Sequence, residues 1–313
     1  MDSKLLSIIL LSYYSKERIR KSYNAIRQLL DNENIPFEFI VMDDGSKDES
    51  FSMALQLEKE YDNVCAYQLS RNYGSMYSMF AGLSVCKGAC ALHMVDDEQQ
   101  PYETIVQMYR LWEKGEKIII PCREARNDSK MTNLMSQAYY KTMNAISDIH
   151  YPQGGADLAF IDREVIDILN EKIHPINTMF IAEVLNLGFN PYFLPYVRPV
   201  GLNEGKSRFT FKKRMKLALD SLFSNSTYPL RLISYLGLSI SILSFIAIIF
   251  YIYIHIWGNQ KFWGNIVPGW TSLVLIMFLL GGVILLSLGV ISEYLWRIFD
   301  EVKNRPGFII KKK

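Results

Sequence analysis

Along residues 1 to about 200 the apolar positions alternate between two periods. Ser7 to Ser12 is a short, nearly continuous apolar run of strand length. Lys16 to Asn32 then carries Ile19, Tyr23, Ile26 and Leu30 at the three- and four-residue spacing of a one-sided helix. The cycle repeats downstream. Phe37 to Met42, Val64 to Leu69, Ala89 to Val95 and Lys117 to Pro121 read as strands, with helices over Ser50 to Tyr61, Tyr77 to Val85 and Tyr102 to Lys114. This alternation predicts an α/β domain: a mostly parallel, Rossmann-like sheet covered on both faces. Ligands of such sheets bind beyond the carboxyl ends of the strands. Two strands here end in paired acids, Asp43-Asp44 and Asp96-Asp97.

The pattern changes at the C-terminal end. Leu232 to Ile254 and Trp270 to Ser292 contain no charged residue. Each would be roughly 35 Å long as a helix, enough for a hydrocarbon core of about 30 Å. Basic residues cluster outside the pair, from Lys206 to Lys216 and again from Arg297 to Lys313, while the joining loop carries only Lys261. The positive-inside rule then places both termini and the catalytic domain in the cytoplasm, as a multi-pass protein of the inner (plasma) membrane. Before the first span, Phe211, Met215, Ala218, Leu219 and Leu222 form a stripe flanked by Lys212, Lys213 and Lys216. That suits a helix in the headgroup layer against membrane lipid, or a solvated helix packed on the catalytic domain. The expected organisation is a catalytic domain over 1–210, an amphipathic helix over 211–229, a transmembrane hairpin over 230–296 and a basic tail over 297–313.

Composition sharpens this picture. With 313 residues, 50% hydrophobic and 21% charged, the chain is neither disordered nor fibrous. Its mean hydropathy of +0.05 reflects the two apolar stretches. A net charge of +2 and a pI of about 8.2 give no global basic field, which argues against nucleic acid as a partner. Cys65, Cys86, Cys90 and Cys122 show no zinc or CxxC spacing and read as free thiols in a reducing compartment. The N-terminus lacks a signal-peptide layout. His93 and His150 read as structural histidines.

A carboxylate at a strand end can accept hydrogen bonds from sugar or base hydroxyls, or ligate a hard cation. Either pair alone is equally a turn or a helix cap. Further motifs follow in order: Leu69-Ser70-Arg71-Asn72-Tyr73-Gly74 with Ala81-Gly82-Leu83, Asp97-Glu98-Gln99-Gln100-Pro101-Tyr102-Glu103, Gly155-Ala156-Asp157-Leu158 with Ile161-Asp162-Arg163, Gly205-Lys206-Ser207-Arg208, and Tyr228-Pro229-Leu230-Arg231. The set resembles the family 2 glycosyltransferases of the GT-A fold. More narrowly, it is similar to the polyprenyl-phosphate glycosyltransferases related to dolichol-phosphate mannose synthase and the bactoprenol glucosyltransferases. Four positions depart from that pattern. The opening motif reads Leu10-Leu11-Ser12-Tyr13-Tyr14-Ser15, the metal motif reads Val95-Asp96-Asp97, Ser75 stands where the family has lysine, and the arginine that precedes the family's G-x-S-K is absent, leaving Arg198 as a substitute.

The resemblance implies an inverting transfer of a hexose from a nucleotide sugar, a UDP-sugar being favoured, to polyprenyl (undecaprenyl) phosphate for cell-envelope glycan modification. It implies Mg²⁺ or Mn²⁺ held by Asp97, Gln99 and Asp96. Asp157, with Asp97, takes the catalytic role. Asp43, Asp44, Asp96, Arg71, Arg123, Lys206 and Arg208 would contact the nucleotide diphosphate, and a homo-oligomer is compatible with the pattern. The chemistry has its own logic. A departing diphosphate must be neutralised by a cation or by Arg and Lys clamps, and an acceptor that is already an anion needs no strong base. Asp157 also reads as a turn acid, and Arg123 as half of a surface ion pair. Two other functions fit parts of the chain: a polysaccharide synthase, which lacks support because no Q-x-x-R-W motif occurs, and a silent nucleotide-sugar-binding membrane protein.

Overall fold

The computed structural model describes residues 4–96, 101–123, 141, 144, 151–152, 156, 158–196, 228–257 and 269–311. They divide into two units, one of Met1–Ser224 with Arg305–Lys313 and one of Asn225–Asn304. The expected organisation ends the transmembrane hairpin at 296. The last helix runs on to Val302, and the tail beyond it belongs to the catalytic unit.

The first unit is built on a seven-stranded sheet in the order β3-β2-β1-β4-β6-β5-β7. The strands are β1 (Leu6–Ser12), β2 (Phe37–Asp43), β3 (Val64–Gln68), β4 (Cys90–Val95), β5 (Ile118–Arg123), β6 (Phe160–Asp162) and β7 (Tyr192–Tyr196). Every pairing is parallel except those of β6, which runs antiparallel to both β4 and β5. All seven residues of β1 and of β2 are buried, as expected of central strands covered on both faces.

The helices follow from sequence period and position. In α1 (Lys16–Asn32) the predicted stripe of Ile19, Tyr23, Ile26 and Leu30 is fully buried. Alternate β1 residues face opposite ways. Leu6, Ile8 and Leu10 join a core containing residues of α1, α2 (Ser50–Glu60) and α4 (Glu103–Glu113). Ile9 and Leu11 join the core with α3 (Ser75–Val85), α5 (Arg163–Lys172) and α6 (Phe180–Asn186).

The Asp162-Arg163 pair of the sequence motif lies at the opposite end of the sheet from the paired acids, since Asp162 pairs with Cys90 at the start of β4. Asp162 caps α5 by accepting from the Glu164 N–H at 2.9 Å and also accepts from Trp112 Nε1 at 2.7 Å. Arg163 Nε donates to the Gly88 carbonyl at 2.8 Å. Beside it, the buried Glu38 accepts from Ser7 Oγ at 2.5 Å and from Gly88 N at 3.1 Å. A side chain on Gly88 would meet Ser7 Oγ at 2.5 Å, so only glycine fits there. The motif's second half is architecture.

The second unit contains α7 (Tyr228–Trp257) and α8 (Gly269–Val302), which enclose the two apolar stretches read from the sequence. Among the described residues, one helical stretch is long and apolar enough to cross a membrane, Ile276–Val302, with 27 residues and none of its apolar window buried. Large side chains such as Leu236, Leu243, Phe245, Phe278, Leu285 and Leu286 are exposed on the two helices. Isolated exposed leucines are ordinary, but many large apolar side chains exposed together make a surface suited to a non-aqueous surrounding or a partner.

Candidate active site

The sheet reverses its winding direction at β1. The chain passes from β1 to β2 and β3 on one side, then crosses to β4 on the other. The carboxyl ends of β1 and β4 therefore form the topological switch point, where doubly wound folds hold their ligands. Ser12 pairs with Asp43 across β1 and β2, and Leu11 pairs with Val95 across β1 and β4, so the Asp43-Asp44 pair and Asp96 flank the end of β1.

Asp43 is fully buried. Its carboxylate accepts from the Ser46 N–H at 2.9 Å, from Ser46 Oγ at 2.5 Å and from Gln68 Nε2 at 2.9 Å. Ser46 Oγ in turn accepts from the Tyr14 N–H at 3.0 Å, so the turn after β2 fixes the loop after β1. Asp44 is 4% exposed and reaches the other way. One oxygen accepts from the Tyr73 N–H at 2.7 Å and the other from the Gly74 N–H at 2.8 Å. Burial pushes the Asp44 carboxyl above its ordinary value, and those two donors partly offset the shift. Gly45 between this pair and Ser46 has φ of +69°, and a Cβ there would lie 2.5 Å from the backbone carbon of Arg71. The close approach of the turn to the Arg71 segment requires glycine.

The Arg71 segment is thus held from beneath. Arg71 itself is exposed, with its guanidinium 4.1 Å from the centre of the Tyr73 ring. Above the end of β1, Tyr13 and Tyr14 are 43% and 47% exposed and pack edge to face with centroids 4.5 Å apart. Tyr14 sits at φ of 54°, an uncommon conformation for a bulky residue. In the sequence these two rings stand only as a departure from the opening motif. Their aromatic, half-open character at a strand end was the available signal.

The second acidic pair differs. Val95 faces outward and Asp96 inward, with Asp96 only 9% exposed. Asp96 Oδ2 lies 3.3 Å from Arg18 Nη2 but has no hydrogen-bond partner, and neither has the buried Ser12 Oγ. A carboxylate oxygen shielded from water and without a hydrogen bond costs free energy unless a charge offsets it, and Arg18 supplies one here. Arg18, in the first turn of α1, was also missed in the sequence, where it looks like any solvated helix residue.

Arg123 ends β5, where its Nε donates to the Tyr196 hydroxyl at 3.2 Å. The neighbouring Cys122 forms an isolated bridge with Ala156. The predicted Asp97, Gln99, Asp157, Lys206 and Arg208, together with the amphipathic stretch over 211–223, lie outside the described residues. Among the described residues, no three acidic, histidine or cysteine side chains gather as a metal site. The structure therefore brings Asp43, Asp44, Asp96 and the Arg71 segment to one end of the sheet, with Arg123 at the same end of β5. His93 is buried and packs edge to face with Phe180, centroids 5.0 Å apart.

Residues 7–169, more than half of the chain, match the model of Glycosyl transferase family 2. Among curated relatives, an SfII prophage-derived bactoprenol glucosyl transferase of Shigella flexneri is 31% identical over 309 residues, covering 98% of this chain and 97% of its own. A prophage bactoprenol glucosyl transferase homolog of Escherichia coli strain K12 is 29% identical, covering 98% of each chain. A putative glycosyltransferase, CsbB, of Bacillus subtilis strain 168 is 29% identical over 312 residues, covering 100% of this chain and 93% of its own.

Proposed function

Because this chain belongs to glycosyl transferase family 2 and is a glycosyltransferase, we propose that it moves a hexose from a nucleotide diphosphate sugar to polyprenyl phosphate at the cytoplasmic face of a membrane. The observation that carries this reading is the near full-length similarity to relatives named bactoprenol glucosyl transferase, which extends through both apolar helices. The exposed apolar side chains of α7 and α8 support two membrane spans that hold the enzyme beside its lipid acceptor. Tethering turns the search for a membrane-bound acceptor into a search within a surface layer, which raises its effective concentration.

In the proposed reaction an acceptor phosphate oxygen attacks the anomeric carbon from the face opposite the leaving group. A new carbon–oxygen bond forms as the bond to the nucleotide diphosphate breaks, and the electron pair leaves with the diphosphate. The acceptor is already an anion, so Asp157 orients it or takes a residual proton. Asp43 and Asp44 hold the donor end of the site together, with Asp43 next to the nucleotide and Arg71 and Arg123 near its phosphates. Lys206 and Arg208 are the proposed further clamps on phosphate oxygens. A divalent cation, Mg²⁺ or Mn²⁺, would be held by Asp97 and Gln99 with Asp96, and when bound it neutralises charge on the departing diphosphate. The shielded Asp96 oxygen suits such a cation, because it is a hard anionic donor that makes no hydrogen bond and has Arg18 as its ion-pair neighbour at 3.3 Å.

The test incubates the purified full chain with polyprenyl phosphate and one nucleotide sugar at a time, and identifies the lipid product by mass. A lipid-linked phosphohexose from one donor is the expected result. Absence of any lipid product across the donor panel, with either cation present, contradicts the reading.

A further inference from the structure

The segment after the last helix returns to the catalytic unit. α8 ends with Asn304 in the left-handed region at φ of 46°, a residue that suits a helix terminus of this kind. Beyond it, Ile310 forms an antiparallel bridge with Leu69, just past the end of the edge strand β3. The Ser70 N–H donates to the Ile309 carbonyl at 2.9 Å, and the Lys311 N–H donates to the Gln68 carbonyl at 2.8 Å. Phe308 and Ile310 pack against the core cluster that contains Leu69 and Phe80. A Cβ on Gly307 would meet Pro175 at 2.6 Å and the Tyr77 ring at 3.2 Å, so the path of the tail admits glycine and little else. The tail is therefore seated at several independent points.

What it touches matters more than that it is seated. Gln68 Oε1 accepts from Lys311 Nζ at 3.2 Å, while Gln68 Nε2 donates to Asp43 at 2.9 Å and to the Ser46 carbonyl at 3.3 Å. A lysine can only donate, so its presence fixes which end of the Gln68 amide faces Asp43. Ser70, whose N–H the tail takes, directly precedes the Arg71–Gly74 segment that Asp44 clamps from the other side. On this basis we propose that Gly307–Lys311 is a positioning element of the donor site, acting through Gln68 on Asp43 and through Ser70 on the Arg71–Gly74 segment. It touches no reacting atom. The inference rests on the proposed function for its ligand, a nucleoside diphosphate, and on the observed contacts for its geometry.

The consequence is that the chain end just beyond the second apolar helix helps to shape the nucleotide site. The experiment uses the full chain in detergent, a deletion of 307–313, and Lys311→Met, which removes one ammonium and keeps the apolar seat. UDP and other nucleoside diphosphates are titrated calorimetrically, and hydrogen exchange is followed at the amides from Leu69 to Gly74. The deletion is expected to weaken nucleotide binding at least tenfold and to speed exchange across those amides. Lys311→Met is expected to weaken binding about threefold with little change in thermal unfolding, a pattern that a purely structural tail would not give. Affinities within twofold of the parent for both variants, or weaker binding without faster exchange, would overturn the proposal. If the parent chain binds no nucleoside diphosphate, the functional reading fails instead, and the exchange data alone decide whether the tail holds the segment.

Discussion

The two acidic pairs look alike in the sequence and have different fates in the fold. Asp43 and Asp44 at the end of β2 receive five hydrogen bonds between them from Ser46, Gln68, Tyr73 and Gly74. Asp96 at the end of β4 keeps a shielded oxygen with no hydrogen bond and, among the described residues, Arg18 as its cationic neighbour. The first pair ties three strand-end segments together. Asp96 leaves hydrogen-bonding capacity open. Acidic residues at strand ends therefore do not form one functional class, and the number of donors aimed at each carboxylate separates them.

Substitutions can break this comparison from either side. The largest effect on chemistry is expected at the second pair. Asp97→Asn should lower kcat at least ~100-fold, because a cation contributes several kcal/mol of transition-state stabilisation, while thermal unfolding stays within about 2 °C of the parent. The largest effect on stability is expected at the first pair. Asp44→Ala strands the Tyr73 and Gly74 N–H groups and should cost about 3–5 kcal/mol, read as a fall in Tm of roughly 10 °C. Gly45→Ala adds a Cβ against the Arg71 backbone at positive φ and should cost about 1–3 kcal/mol in the same measurement. By contrast, Ser12→Ala removes a buried hydroxyl with no hydrogen-bond partner and should shift stability by no more than about 0.5 kcal/mol. A large destabilisation there would mean that Ser12 is engaged after all.

The smallest effect concerns a thiol on β5. Burial raises the Cys122 thiol to about 11. Its folded value lies above the unfolded one of about 8.5, so its contribution to stability is complete below pH 8.5 and is lost as pH rises towards 11. Alkylation of Cys122 at pH 7.5 should accordingly be slow in the folded chain and fast in denaturant, as followed by mass. Equal rates in both states would contradict this.

Much of the fold was legible because its signals are local. The β1 run, the α1 stripe and the alternation through β5 reflect periods of two and 3.6 residues that the chain must obey to bury its apolar side chains. The two apolar stretches were legible for the same reason, and both lie within long helices. What escaped was non-local. β6 has three residues and its antiparallel direction is set by its neighbours, so no periodicity could announce it. The tail's Phe308, Ile309 and Ile310 are too short a run to read as a strand, and their partner Leu69 is far away in sequence. At the site, Asp43, Asp44 and Asp96 stood out because strand-end acids are conspicuous. Gln68, Arg18 and the Tyr13–Tyr14 pair did not, because each gains its place only when distant strand ends converge.

The contrast between the two pairs is tested most directly by binding of Mn²⁺ in the presence of UDP, followed by electron paramagnetic resonance on the full chain and its variants. Asp97→Asn is expected to abolish nucleotide-dependent Mn²⁺ binding, whereas Asp44→Asn, in chain that remains folded, is expected to retain it. Retention of Mn²⁺ by Asp97→Asn, or its loss in folded Asp44→Asn, would contradict the division of labour argued for the two strand ends.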